Sequence, residues 1–262
     1  MGERLQGRVA IVTGAGSGIG RATALKFAGE GATVVVNDIV RASAEAAVDA
    51  IHEAGGKAEA DVGDVTSSTY VNALVDGAVA RHGRLDVMHN NAGGAGTTAI
   101  TDVTDEAWDR DIRLNLYATF YGIRAALRVM VPTGRGSIIS TSSAAGLGAV
   151  PGLAPYGAAK AGIILLTRNA AVEYAHTGVR ANAITPGSMG TPAFESWLDQ
   201  MPVGLAGYEA QIPQHRLGRP QEIADAALWL ASDESSYVNG AVIPVDGGTW
   251  AKLASPTFDL PV

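Results

Sequence analysis

Val9-Ala-Ile-Val12-Thr13-Gly14-Ala-Gly16-Ser17-Gly18-Ile19-Gly20-Arg21 is the stretch that decides the fold. The first four residues form a short apolar run and read as a buried strand. Arg21 to Glu30 has helical character, and Gly31 stops it. Strand, glycine turn and helix together are what a phosphate-binding loop needs. Glycines let the backbone approach a pyrophosphate, and a helix N-terminus offers unpaired N–H groups and a positive dipole end. Gly14, Ser17, Gly18, Ile19 and Gly20 are therefore candidate cofactor contacts. The spacing, Gly-x-x-x-Gly-x-Gly, is not the strict G-x-G-x-x-G fingerprint, and tight packing is the plain alternative.

Outward from this unit, strands and helices alternate. Thr33 to Val36 is a second strand ending in Asn37-Asp38. Asp38 lies roughly 20 residues beyond the turn, where a carboxylate accepts hydrogen bonds from adenosine ribose hydroxyls. Its alternative is an N-cap for a helix starting near Ser43. Ala42 to Ala54 is that helix, and Lys57 to Asp61 a weak third strand. Asp64-Val65 follows as an adenine contact or a turn. Thr69 to His82 is helical. Leu85 to His89 is a fourth strand running into Asn90-Asn91-Ala92-Gly93, where small and amide residues would let a cofactor cross the strand end. Asp105 to Val131 reads as one long helix with a stripe of Trp108, Ile112, Leu116, Phe120, Ile123, Leu127 and Met130. Asn115, a poor helix former, marks a kink within it or an exposed position. Strands follow at Gly136–Thr141, Arg180–Thr185 and Ala241–Val245, with a helix at Gln221–Ala231 before the last. Seven strands alternating with helices predict an α/β fold, a doubly wound seven-stranded parallel sheet (Rossmann fold). We expect a single domain over residues 1–262, since such folds often run to roughly 200–250 residues without division.

The chemistry is expected near Ser143-Ala-Ala-Gly146 and Tyr156-Gly-Ala-Ala-Lys160. Four residues apart on a helix, Tyr156 and Lys160 share a face. A neighbouring ammonium favours phenolate and would bring tyrosine, which ordinarily titrates near pH ~10, into the range of a general base. A hydroxyl at Ser143 could hydrogen-bond a substrate oxygen. Taken alone, the Tyr-x-x-x-Lys spacing is as readily a partly exposed helix face.

Composition narrows the classes. Of 262 residues, 47% are hydrophobic and 17% charged, against about 25% charged in a typical domain, which hints that some surface is buried in an oligomer. A net charge of −7 argues against nucleic acid. The absence of cysteine excludes disulfides and thiolate chemistry, and the five histidines show no metal-ligand spacing, so no metal is expected. No signal-peptide core, myristoylation pattern or membrane-length apolar run is present; we expect a soluble cytoplasmic protein. Residues 190–218 are irregular, rich in Phe, Trp, Met and Leu, and too long for an ordinary loop. We expect a lid over an uncharged, fairly apolar secondary alcohol or ketone, walled by Gly94, Leu147, Val150, Met189 and Trp197. A subunit interface is the alternative.

Together the motifs Thr13-Gly-x-x-x-Gly18-x-Gly20, Asp64-Val65, Asn90-Asn91-Ala-Gly93, Asn115, Ser143, Tyr156-x-x-x-Lys160, Pro186-Gly187 and Thr191 resemble the short-chain dehydrogenase/reductase family over nearly the whole chain. The resemblance implies hydride transfer between a nicotinamide and substrate carbon. It makes Tyr156 the acid/base and Ser143 the group that orients substrate oxygen. Lys160 would lower the Tyr156 pKa and hold the nicotinamide ribose, and Asn115 would hold a water. Ser143 is preferred over Ser142 for its place before Ala-Ala-Gly146. The resemblance adds Asn91, Gly93, Pro186, Gly187, Met189 and Thr191 to the cofactor contacts, along with Tyr156 and Lys160, and implies a homotetramer built on its long helices and C-terminal strand. Asp38, with no basic residue at Ser17, Ile39 or Val40, points to NAD rather than NADP. Arg41 is the one complication. A binding protein that has lost catalysis is the second reading, against which the full Asn-Ser-Tyr-Lys set argues.

Overall fold

The computed structural model describes residues 3–199 and 202–252. Met201, counted above among the apolar residues of the 190–218 segment, lies outside them, as does the tail Pro256–Val262. A parallel seven-stranded sheet runs through the chain in the order β3-β2-β1-β4-β5-β6-β7. Its strands are β1 Val9–Thr13, β2 Thr33–Asp38, β3 Lys57–Val62, β4 Val87–Asn90, β5 Gly136–Thr141, β6 Val179–Pro186 and β7 Val242–Val245. The order reverses between β1 and β4, and open sheets of this kind bind ligands in the crevice beyond the strand ends at that reversal.

The strands divide their side chains between two cores with the period of two that a pleated strand imposes. Ala10, Val12, Val34, Val36 and Ile139 face one way, where they meet Phe27 of α1 (Gly18–Gly29) and Ile223 and Leu228 of α9 (Pro220–Ala231). On the opposite face are Ile11, Val35, Met88 and Ile138. They pack on Leu74 and Val75 of α3 (Ser68–His82), Ile123 of α5 (Ala118–Met130) and Ala170 of α6 (Ala154–Tyr174). Burial on both faces explains why the strands read as continuous apolar runs. Helix α2 (Arg41–Glu53) completes the first layer through its contacts with α1.

The expected helix from Asp105 to Val131 is not continuous. Helix α4 (Asp105–Ile112) leads into a π-helical turn, Arg113–Tyr117, before α5 begins. The cause is Asn115. Its Nδ2 donates to the Asp111 carbonyl at 2.8 Å, the acceptor that Asn115's own main-chain N–H would use in an α-helix. The turn widens and the side-chain register slips, so the anticipated stripe divides: Ile123 and Met130 are buried, while Trp108 and Phe120 are exposed. Residues 190–218 hold two short helices, α7 (Pro192–Leu198) and α8 (Gly204–Glu209). The ends of this excursion are tied by a bridge in which Gly190 N donates to Gly218 O at 2.8 Å and Gly218 N to Ser188 O at 2.9 Å.

Candidate active site

The predicted residues converge at the C-terminal ends of β1, β2, β4, β5 and β6. The glycine turn wraps the end of β1. Gly14 has φ 62°, and a Cβ there would lie 2.9 Å from Ala92 Cα, so this position needs glycine for both conformation and space. Ser17 caps α1 without a side-chain hydrogen bond, and the first turn carries no acidic residue, which leaves the helix N-terminus suited to an anion. Ile19 packs at the edge of the first core. Thr191 stands close by: a Cβ on Gly18 would lie 3.3 Å from its methyl group. Its hydroxyl caps α7 by accepting Phe194 N.

Asp38 closes the β2 side. Its Oδ2 accepts Gly16 N and its Oδ1 accepts Val40 N, both at 2.9 Å. Helix α2 starts at Arg41 with Val40 as N-cap and no side-chain cap, so Asp38 links the glycine turn to the residue that precedes the helix and is not its N-cap. Arg41 pairs with Glu45 at 3.3 Å, one turn along its own helix. Asp64 is exposed, and its carboxylate accepts both Thr66 N and Thr66 Oγ1 at 2.8 Å. These bonds make it a turn former as well as a candidate adenine contact, with Val65 buried beside it. Asn91 differs from expectation in kind. Its amide donates to Thr13 O at 3.0 Å and Gly14 O at 3.4 Å, so its side chain shapes the loop.

The reactive cluster lies between β4, β5 and α6. Tyr156 and Lys160 share one turn of α6, with Lys160 Nζ 5.3 Å from the Tyr156 ring centre. Lys160 is buried, and Nζ donates to Thr141 O at 2.9 Å. Desolvation drives its pKa down to about 7. Burial of the phenol raises the tyrosine pKa above its usual value, and the neighbouring Ser143 hydroxyl, which favours the phenolate, offsets this only in part. The expectation that Lys160 would lower it is thus not met, because burial of the phenol dominates. Ser142, the neighbouring candidate, is committed elsewhere: its Oγ donates to Lys160 O at 2.7 Å.

Asn115 is buried and not exposed. Its Oδ1 accepts Gly94 N at 3.2 Å and its Nδ2 donates to Gly94 O at 2.8 Å. A Cβ on Gly93 would lie 2.6 Å from Asn115 Oδ1 and 3.1 Å from Lys160 Nζ, so only glycine fits at this meeting point. Gly187, following Pro186, is tied to β7 by its N–H to Val245 O at 3.0 Å. Met189 is not an open wall residue. Its side chain is buried in the first core, against Gly218. Gly94, Leu147 and Trp197 remain partly accessible and Val150 is exposed. The sequence carried Thr13 in a motif without a role and did not single out Thr141. Thr13 Oγ1 accepts Asn91 N and Ala92 N, each at 3.0 Å; a polar residue at a strand end gave no signal for either role. Two surface cavities, of about 330 and 550 Å3, lie away from Tyr156, one at Ser188–Gly218–Gly248 and one at the opposite strand ends around Arg8 and Arg180. Convergent side chains, not cavity size, mark this site.

A family model described as enoyl-(acyl carrier protein) reductase matches residues 14–249. The chain belongs to the short-chain dehydrogenase/reductase family. Among its relatives, the 3-oxoacyl-[acyl-carrier-protein] reductase of Thermotoga maritima is 39% identical, covering 94% of this chain and 98% of that protein. The cyclohexanol dehydrogenase of an Acinetobacter species is 38% identical over 96% and 98%. A solved 7α-hydroxysteroid dehydrogenase, complexed with NADH and 7-oxo glycochenodeoxycholic acid, superposes with a TM-score of 0.89 at 37% identity, covering 94% of this chain and 95% of that one. As a short-chain dehydrogenase/reductase, this chain is an oxidoreductase of a family that uses a nicotinamide cofactor. The residues present fit such a dinucleotide: an uncovered helix N-terminus, a carboxylate at the β2 end and a glycine cradle beside a buried lysine.

Proposed function

We propose that the protein is an NAD(H)-dependent dehydrogenase of uncharged, fairly apolar secondary alcohols, with ring alcohols and their ketones as substrates. The observation that carries this reading is the clustering of Ser143 beside Tyr156, Tyr156 beside Lys160, and Lys160 with Asn115 at Gly93. Asp38 would hold the adenosine ribose, the α1 N-terminus the pyrophosphate, and Lys160 the nicotinamide ribose. When bound, the nicotinamide accepts or supplies the hydride. Tyr156 takes the alcohol proton on its phenolic oxygen in oxidation and returns it in reduction. Ser143 holds the substrate oxygen and stabilises its developing charge. Asn115 fixes Gly93-Gly94 beneath the reacting groups.

An apolar substrate is supported by the residues of the 190–218 segment. Phe194 and Trp197 of α7 and Tyr208 of α8 form one aromatic cluster, with ring centres 5.4 to 6.1 Å apart. Arg216, the lone arginine of the segment, is held by Glu222 through two bonds of 2.7 and 2.8 Å, so no free cation is offered to an anionic substrate. Relatives named for cyclohexanol and hydroxysteroids support a ring. We read residues 190–218 as a lid and the assembly as a homotetramer. The test is turnover of NAD by unmodified protein and Tyr156→Phe over a panel of cyclic and acyclic secondary alcohols. The expected result is oxidation of cyclic substrates and a loss of kcat of at least ~10²-fold in the variant. Equal turnover by the two proteins would refute the assignment of Tyr156.

A further inference from the structure

His89 occupies β4 between β1 and β5, fully buried, with its ring centre 6.4 Å from that of Phe27. Desolvation lowers its pKa to about 3, so the imidazole is neutral and carries one N–H. Nε2 lies 2.9 Å from Thr141 Oγ1, and Nδ1 has no partner among the described residues. What lies beyond fixes the direction of the bond. Thr141 Oγ1 donates to Asn91 Oδ1 at 3.4 Å, an oxygen that can only accept. The Asn91 amide is held in that orientation by its other end, which donates to Thr13 O and Gly14 O. Thr141 has thus given away its single proton, and its oxygen must accept from His89 Nε2–H. The 3.4 Å link is long for a hydroxyl; it decides direction more than strength. The Thr141 carbonyl, meanwhile, receives Lys160 Nζ at 2.9 Å.

We propose that His89 is a positioning residue whose Nε2–H, acting through Thr141, holds the anchor of Lys160 and the glycine loop in one register for the dinucleotide. The inference rests on the cofactor site of the proposed function. A packing role alone would need only a ring of this volume. The directed row from His89 through Thr141 and Asn91 to the Gly14 carbonyl needs a donor at Nε2.

Glutamine can place an amide N–H near the Nε2 position, whereas methionine has similar length and no donor. His89→Gln and His89→Met therefore separate the hydrogen bond from the volume. The readouts are the NADH dissociation constant by fluorescence titration, kcat at saturating cofactor, and Tm. We expect His89→Gln to bind NADH within about twofold of the unmodified protein and His89→Met about fivefold more weakly, the factor of one ordinary neutral hydrogen bond. The kcat of both should stay within about twofold. In a Thr141→Val background, His89→Met should add no further loss of affinity. Equal NADH affinity in His89→Gln and His89→Met, with Tm lowered alike in both, overturns the assignment. If His89→Met does not fold, Thr141→Val against Thr141→Ser gives the same comparison: a fivefold difference supports the row and equal affinity overturns it. Titration needs no substrate, so the outcomes stay separate. Unmodified protein that fails to bind NADH sinks the proposed function, while equal affinity of the two variants sinks only the role of His89.

Discussion

Asp38 uses both carboxylate oxygens on main-chain amides, Gly16 N and Val40 N, and so presents a fixed negative charge at the edge of the glycine turn. A 2′-phosphate placed there would meet that charge, while ribose hydroxyls can donate to it. Asp38→Ala should therefore narrow a preference for NAD over NADP, and it should weaken NAD as well, because the Gly16 anchor goes with the carboxylate. The check is kcat/KM for both cofactors. Equal values in the unmodified protein would show that Asp38 does not face the ribose. Tyr156 and Lys160 carry a pH prediction. Burial raises the tyrosine pKa, so the phenol stands protonated at neutral pH, the form that reduction needs and oxidation must remove. With a ring alcohol and saturating NAD, kcat/KM for oxidation should rise from about pH 7 to about pH 9, while reduction stays level or falls. An oxidation profile flat across that interval would contradict the role given to Tyr156. At this scale the sequence named the residues better than their duties. Asn91 and Asp64 were placed at the right strand ends, but whether an amide or carboxylate turns to a ligand or to its own loop depends on main-chain geometry that spacing does not encode.

The strands and their order were legible because burial on both faces makes each a run of apolar residues between turn signals, and these survive without tertiary information. The long helix was legible only in outline. Asn115 flagged a disturbance by its poor propensity, yet its outcome, a π turn closed by Nδ2 on Asp111 O, depends on Gly94 lying 21 residues earlier in the chain and accepting the same amide. Residues 190–218 were read as irregular for a related reason: α7 and α8 are too short for periodicity to show, and one is fixed by its cap, the other by a contact distant in sequence. Thr191 caps α7, and Tyr208 of α8 shares a hydrogen bond of 2.8 Å with Ser188 at the base of the segment. The bridge between Met189 and Gly218 ties the two ends of the segment together. If it is a lid, NADH and a ring ketone together should slow chymotryptic cleavage at Phe194, Trp197 and Tyr208 by several-fold, and NADH alone by less. Cleavage unaffected by both ligands would favour the interface alternative.

Over the whole molecule, the apolar residues that α4, the π turn and α5 do not bury form a surface. Trp108 is 43% exposed, and Tyr117 and Phe120 lie further along the same segment. Helix α6 packs against this segment and leaves Leu165 61% and Val172 79% exposed. Exposed apolar residues on a chain with 17% charged residues are what the proposed homotetramer would use as an association site. A self-complementary patch makes a dimer, and a tetramer with dihedral symmetry needs a second patch. The far edge of the sheet supplies a candidate: among the described residues β7 pairs only with β6, and a sheet edge is ordinarily covered. The two surfaces sit on different sides of the chain, so they can be separated by mutation. Light scattering at micromolar concentration should give four chain masses for the unmodified protein. Leu165→Glu with Val172→Glu places like charges in the helical patch and should leave a dimer held at the β7 edge, with the fold intact by circular dichroism. A monomer mass for the unmodified protein would remove the tetramer from the proposal, and an unchanged tetramer in the double variant would place the contacts on surfaces other than the α5–α6 face.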